Sequence, residues 1–147
     1  MALTTIIFVF GNPDFVPDSL PLKILPRLQI SFPAIQFEVK DPNEEWNVPE
    51  ELMVIDTAVG IDKITVFHSL DDFAPAPRVS MHDFDALANL RFLKKLGKLR
   101  KVTIIGVPSN LSEDDAVNEI TKKLPGLVPE KTNPRQFISR RPPHSGG

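Results

Sequence analysis

The sequence predicts an α/β fold: a three-layer α/β/α sandwich around a five-stranded sheet that is mostly parallel and has one antiparallel strand. Apolar runs of strand length alternate along the chain with segments of helical periodicity, a pattern typical of parallel sheets covered by helices. The first of these runs is apolar on both faces, as a strand buried between two helical layers is. The 147 residues are enough for one such domain.

The N-terminal part of the chain is predicted to form a strand and a helix. The strand, Leu3 to Phe10, is β-branched and aromatic, and it stops at the turn signal Gly11-Asn12-Pro13. The helix is predicted to have its N-cap at Asp18-Ser19 and to end near Leu28. Because proline lacks the amide hydrogen that a helix interior uses, Pro26 predicts a break or a kink.

Two more strands are predicted in the middle of the chain, Ala34 to Val39 and Leu52 to Ile55, the latter ending on Asp56. The segment between them, Asp41 to Glu50, is predicted to be an extended loop because two prolines bracket too few residues for a helix. Trp46 in this loop is expected to cover apolar surface beside the sheet or the substrate groove.

A fourth strand, Lys63 to Phe67, follows the third after a short turn, which predicts an antiparallel hairpin of the two. The remaining elements are a helix opened by a capping-box pattern and a buried strand, followed by a helix with an N-cap serine and acids in its first turn. They are Ser80-Met81-His82-Asp83 to near Gly97, Val102 to Val107, and Ser112 to about Leu124-Pro125-Gly126.

Residues 1–126 are thus expected to form a single α/β domain, and the Pro- and Arg-rich residues 127–147 a loosely ordered tail. The net charge of -2 implies no general attraction to nucleic acid, and the N-terminal apolar run is too short for membrane insertion. The absence of cysteine excludes thiolate catalysis and disulfides, and it fits a cytoplasmic location. No Gly-x-Ser-x-Gly motif supports serine catalysis.

Three chemistry-bearing residues are predicted to meet at the carboxyl edge of the sheet, where ligands bind in open α/β folds. Asp18 follows the first strand, Asp56 ends the third, and His82 lies in the first turn of a helix. The helix dipole there favours neutral imidazole, the form that binds metal. Two carboxylates and an imidazole suit a divalent transition metal such as nickel, zinc or iron.

Each of these residues also has a simpler interpretation. Asp18 fits an N-cap, Asp56 a turn residue and His82 a surface histidine. His68 and His144 are interpreted as non-functional. The basic run from Lys94 to Lys101 is interpreted as a helix C-terminus, where cations complement the dipole.

Short motifs at the same positions, in the same order, resemble the hydrogenase maturation endopeptidases. The shared features are a Gly-Asn pair with an acid six residues after the Asn, a central strand ending in Asp, a Ser-x-His helix start, an Ile-Gly-Val-Pro strand end and a Leu-Ser helix start. Here they are Gly11-Asn12 with Asp18, Val54-Ile55-Asp56, Ser80-Met81-His82, Ile105-Gly106-Val107-Pro108 and Leu111-Ser112. The resemblance covers residues 3 to 124 and implies a fold flavodoxin-like in outline, of the phosphorylase/hydrolase-like kind.

The resemblance further implies an aspartyl-type endopeptidase that removes the C-terminal extension of a nickel–iron hydrogenase large-subunit precursor after nickel insertion. Asp18, Asp56 and His82 would then form both the catalytic and the nickel-recognition site. The nickel, or another divalent metal in its place, would be carried by the substrate. The partners would be the precursor and its C-terminal peptide, and a monomer is the favoured state.

Two other functions fit parts of the sequence. A catalytically silent relative acting as a hydrogenase assembly factor is favoured by Asp41-Pro42-Asn43, which stands where the family usually has Asp-Gly-Gly. A flavodoxin-like module binding a small ligand is disfavoured because Pro13 and Pro17 remove two amide donors from the loop after the first strand.

Overall fold

The computed structural model describes residues 5–40, 46–58, 60–70 and 81–128, with the side chains of the second long helix described from residue 88 onward. Its eight main elements alternate between strand and helix over most of the chain. In chain order they are β1 (Thr5–Val9), α1 (Leu20–Ser31), β2 (Ile35–Val39), β3 (Glu51–Ala58), β4 (Thr65–Phe67), α2 (Met81–Lys95), β5 (Lys101–Pro108) and α3 (Glu113–Lys123). One-turn 3-10 helices at Val16–Asp18 and Leu124–Gly126 precede α1 and follow α3.

The five strands form one sheet in the order β2-β1-β3-β5-β4. The four pairings that join them are parallel except for β4, which runs antiparallel to β5. The predicted fold class, a mostly parallel five-stranded sheet with one antiparallel strand, is confirmed. The predicted hairpin of the third and fourth strands is wrong, since β5 lies between them and pairs with β3 along all eight residues.

The sheet separates two apolar layers, which completes the three-layer sandwich. On one face α1 and α3 pack over the inward side chains of the central strands, and a salt bridge from Arg27 to Asp114 joins the two helices at 2.8 Å. On the other face α2 contributes Leu90 to a core that includes Phe8, Phe10 and Trp46. Alternate residues of β1 and β3 therefore point into opposite cores, as the period of a strand requires.

The helix ends follow local capping chemistry, with one exception. In α3 the Ser112 hydroxyl accepts the Asp115 amide at 3.0 Å, which confirms the predicted cap. In α1 Ser19 is the N-cap residue, as predicted, but its hydroxyl donates to the Val16 carbonyl at 2.8 Å and no side chain caps the helix. The helix also runs through Pro26 to Ser31 without the predicted break.

Trp46 is buried against the sheet, as predicted. Its ring stacks on Phe10 with 5.4 Å between ring centroids and meets Phe8 edge-on at 5.8 Å. Residues 46–50 contain no helix, which agrees with the predicted loop over the part of 41–50 that is described.

Some predictions fall on residues outside the described ranges. These are the loop residues 41–45, the cap at Ser80 and the tail from residue 129. No helix among the described residues is long and apolar enough to cross a membrane.

Candidate active site

The loop after β1 folds back onto the end of its own strand. The Asn12 amide donates to the Asp18 carbonyl at 2.8 Å, and the Asn12 side chain accepts the Asp14 amide at 2.9 Å. Gly11 permits this return because a Cβ there would lie 3.0 Å from the Asp18 carbonyl oxygen and 3.0 Å from Leu22. The Gly-Asn pair thus has a structural role: it closes the loop that carries Asp18.

Asp18 is completely buried at the end of this loop, immediately before α1. Its main chain is tied to the carboxyl edge of β1 by the bond to Asn12. Burial of a carboxylate is costly unless cations, hydrogen-bond donors or a metal surround it, so a buried acid at a ligand-binding edge is a candidate functional group. The structure therefore places Asp18 at the edge where the sequence predicts it.

Asp56 lies within β3, two residues before the strand ends at Ala58, so the prediction that it terminates the strand is wrong. The strand continues because Gly106, Val107 and Pro108 of β5 continue the pairing beside it. Asp56 is only 4% exposed, and its carboxylate accepts the backbone N–H of Thr57 at 2.8 Å. This bond fixes one carboxylate oxygen.

Asp56 lies on the α2 side of the sheet, beside the apolar layer that contains Phe10 and Phe67. Asp56 has the same strand parity as Val54 and Ala58, which belong to the core beneath α2. Its register partner in β5 is Gly106, where an added Cβ would lie 2.7 Å from the Phe67 ring. On the other side Phe10 directly follows β1, and its amide donates to the Ile55 carbonyl at 3.0 Å. Asp56 thus lies beside a glycine, and the apolar layer on its side of the sheet contains two phenylalanines.

Helix α2 crosses the same face, with His82 as its second residue. After α2 the chain turns at Gly97, and the Arg100 amide bonds to the Glu50 carbonyl, at the edge where β3 and β5 begin. The helix therefore runs antiparallel to the central strands, and its first residues are directed toward the carboxyl edge. The His82 side chain lies outside the described part of the chain.

The fold thus places Asp18, after β1, and Asp56, within the neighbouring strand β3, at the carboxyl edge of the sheet. The start of α2 is directed toward the same edge. No three metal-binding side chains among those described lie close enough to share an ion. Because the His82 side chain is not in that set, the three-residue site stays a prediction. Sequence reasoning missed the Thr57 amide as a donor to Asp56. It also missed Gly106 beside Asp56 and Phe67 over Gly106, because the pairing of β3, β5 and β4 brings these residues together.

The chain belongs to the class of α/β proteins with a mostly parallel sheet, and it carries buried acids at the carboxyl edge of that sheet. Among solved structures the chain is similar to the hydrogenase maturating endopeptidase HybD from E. coli, with a TM-score of 0.53 and 14% identity over 80% of this chain and 85% of that chain. An uncharacterized protein from Wolinella succinogenes has a TM-score of 0.54 and 17% identity over 86% of this chain and 100% of that chain. A [NiFe] hydrogenase maturation protease, HycI from Thermococcus kodakarensis KOD1, has a TM-score of 0.50 and 16% identity over 82% of this chain and 90% of that chain.

No protein-family model and no curated protein matches the sequence. The likeness is therefore one of fold: this chain has the fold of the hydrogenase maturation endopeptidases. The resemblance read from the short motifs is confirmed at that level.

Gly11→Ala tests the role of the returning loop. The new Cβ would press on the Asp18 carbonyl, which cannot rotate away as a side chain could, so the loop must shift. We expect a loss of about 1–3 kcal/mol in the free energy of unfolding. We also expect a fall of about 100-fold in any activity that depends on Asp18, because small displacements of a positioning group are costly.

Gly126→Ala is the matched control, since no atom lies within 4 Å of its added Cβ. Equal stability and activity of both variants would refute this role.

Proposed function

We propose that this chain is an endopeptidase that removes the C-terminal extension of a nickel–iron hydrogenase large-subunit precursor after nickel insertion. Asp18, Asp56 and His82 form its nickel-recognition site. The nickel arrives with the substrate and serves as the signal that insertion is complete. The protease acts on the precursor and releases its C-terminal peptide.

One observation carries the proposal. Two acids, Asp18 and Asp56, are buried at the carboxyl edge of adjacent strands, in a fold shared with two proteins described as hydrogenase maturation proteases. Acids are seldom fully buried without a specific reason. A metal ion brought by the substrate supplies such a reason, since carboxylate and imidazole donors suit divalent nickel.

The chain's own residues divide the task in this proposal. The Thr57 amide fixes the Asp56 carboxylate, and burial on the apolar α2 side of the sheet limits the water around that acid. The returning loop holds Asp18 at the adjacent strand. His82, in the first turn of α2, is kept neutral by the positive end of the helix dipole and offers a nitrogen donor.

The test is incubation of the protein with nickel-loaded and nickel-free precursor, followed by mass measurement of the large subunit. We expect loss of the C-terminal extension from the nickel-loaded precursor alone. Cleavage of both forms would retain the protease and refute nickel recognition. Stable binding of the precursor without cleavage would refute the protease and support the assembly factor.

A further inference from the structure

A basic groove lies between α2 and the segment that follows β4. It has a volume of about 240 Å³ and is lined by Ser69, Leu70, Arg91, Lys94 and Lys95. Leu70 is buried and forms part of an apolar wall, whereas the three cations are exposed on α2. The residues at positions 91, 94 and 95 share one helix face because they are three and four apart. The groove therefore combines an apolar wall with a concentrated positive charge.

None of these three cations forms a salt bridge with the acids of the described residues. Other basic residues do so: Arg27 pairs with Asp114, Lys40 with Glu38, and Arg100 with Glu50 and Glu51. Like charges on one helix face repel each other and destabilise the helix slightly. A chain of net charge -2 thus keeps three mutually repelling cations around one concavity.

The helix dipole accounts for part of this pattern. Lys94 and Lys95 lie in the last turn of α2, where cations stabilise the helix, as the sequence analysis proposed. Arg91 stands a turn earlier, where the dipole effect has faded. The dipole also gives no reason for a cavity beside these residues. It likewise gives no reason for the exposed Phe92 in the last turns of α2 and Leu96 just after the helix, which are 57% and 53% accessible.

We propose that this groove binds an acidic segment of the polypeptide substrate, with carboxylates on Arg91, Lys94 and Lys95 and an apolar side chain against Leu70. The inference rests on the proposed function, which supplies a polypeptide substrate. The negative net charge of the chain favours an acidic peptide over nucleic acid as the occupant, because nucleic-acid binders carry a broad positive charge.

The position of the groove fits a second contact with the same substrate. Arg91 is nine residues beyond His82 in α2, about 14 Å along the helix axis at 1.5 Å per residue. An extended peptide covers this distance in about four to five residues at 3.3 Å each. The substrate's acidic residues should therefore lie about four to five positions from its nickel-bound part.

The test uses a short fluorescein-labelled peptide that alternates glutamate with leucine and phenylalanine, measured by fluorescence anisotropy on the full chain. We expect Lys94→Glu/Lys95→Glu to weaken binding roughly tenfold or more. We expect about 1 M salt, where the screening length is about 3 Å, to do the same. The matched control is Lys122→Glu/Lys123→Glu, which reverses two exposed lysines in the last turn of α3. This control should bind like the wild type.

Equal weakening by both double variants would overturn the groove and leave a general charge effect. The groove would also be overturned if the wild-type protein bound equally well a peptide with lysine in place of each glutamate. Tighter binding of a short RNA than of the peptide, lost in Lys94→Glu/Lys95→Glu, would overturn the acidic peptide as the occupant. With nickel-loaded precursor, Lys94→Glu/Lys95→Glu should raise KM and leave kcat unchanged. Because the anisotropy measurement involves no cleavage, a failure of the proposed protease activity would be seen separately.

Discussion

His82→Ala is expected to lower the rate at which the nickel-loaded precursor is processed by about 100-fold or more, while the fold stays intact. In the proposed site the imidazole is the one nitrogen donor, and alanine cannot replace it. Alanine is the best helix former, so the start of α2 should tolerate the change. The measurement is the rate at which the precursor loses mass, with a thermal melt of each variant.

His68→Ala is the matched control, because His68 is an exposed histidine just beyond β4 and outside the proposed site. It should process the precursor at the wild-type rate. Full processing by His82→Ala would remove the argument for a three-residue site that includes His82. Failure of the wild type to cleave, with stable binding of the precursor, would instead favour the assembly factor.

Replacement of either buried acid is expected to have an effect of similar size on processing. Asp56→Asn keeps an oxygen that accepts the Thr57 amide, so it should lose activity with little change in stability. Asp56→Ala should lose activity and also about 1 kcal/mol of stability, since that amide then loses its acceptor. Asp18→Ala should be inactive, whereas Asp18→Glu should keep part of the activity because the longer acid still reaches a metal.

Exposed acids nearby provide the controls for these variants. Asp14→Ala alters the same loop as Asp18, and Asp62→Ala alters the turn after β3, yet both side chains are exposed. Both should process the precursor normally. Loss of processing in the controls as well would show a general dependence on negative charge and would contradict specific roles for Asp18 and Asp56.

Local chemistry was sufficient to predict most elements of the fold. Ser112 formed the expected cap of α3, whose first turn carries the three acids. Helix α2 ended before Gly97, whose positive φ of 79° suits a helix terminus. The first strand stopped where the Gly-Asn turn signal placed its end. In these cases the determining contacts lie within a few residues of each other.

The errors arose where distant segments compete. The short link between β3 and β4 favoured a hairpin, but β5 is buried along nearly its whole length and offers eight residues of pairing to β3. The three half-buried residues of β4 then take the edge beside β5. The same extended pairing places Asp56 inside the strand. Chain order alone does not reveal which strand occupies the centre of the sheet.

The position of the two acids could be predicted because an acid beside an apolar run is visible in sequence. The fold brings Asp18 and Asp56 to one edge, and their role as a site stays a prediction. The surroundings of Asp56 were not predicted, because only strand pairing places Gly106 beside Asp56 and Phe67 over Gly106. The basic groove was visible as a run of cations, but the wall that makes it concave comes from residues some twenty positions earlier in the chain.

The central claim is that Asp18, Asp56 and His82 hold one metal ion between them. Crystals of the protein soaked in a nickel salt, with diffraction recorded at the nickel absorption edge, test it most directly. We predict one anomalous peak at the carboxyl edge of β1 and β3, with oxygen and nitrogen donors from all three residues at about 2.0–2.2 Å. A nickel peak elsewhere, or a His82 imidazole directed away from Asp56 with no rotamer that returns it, would contradict the claim.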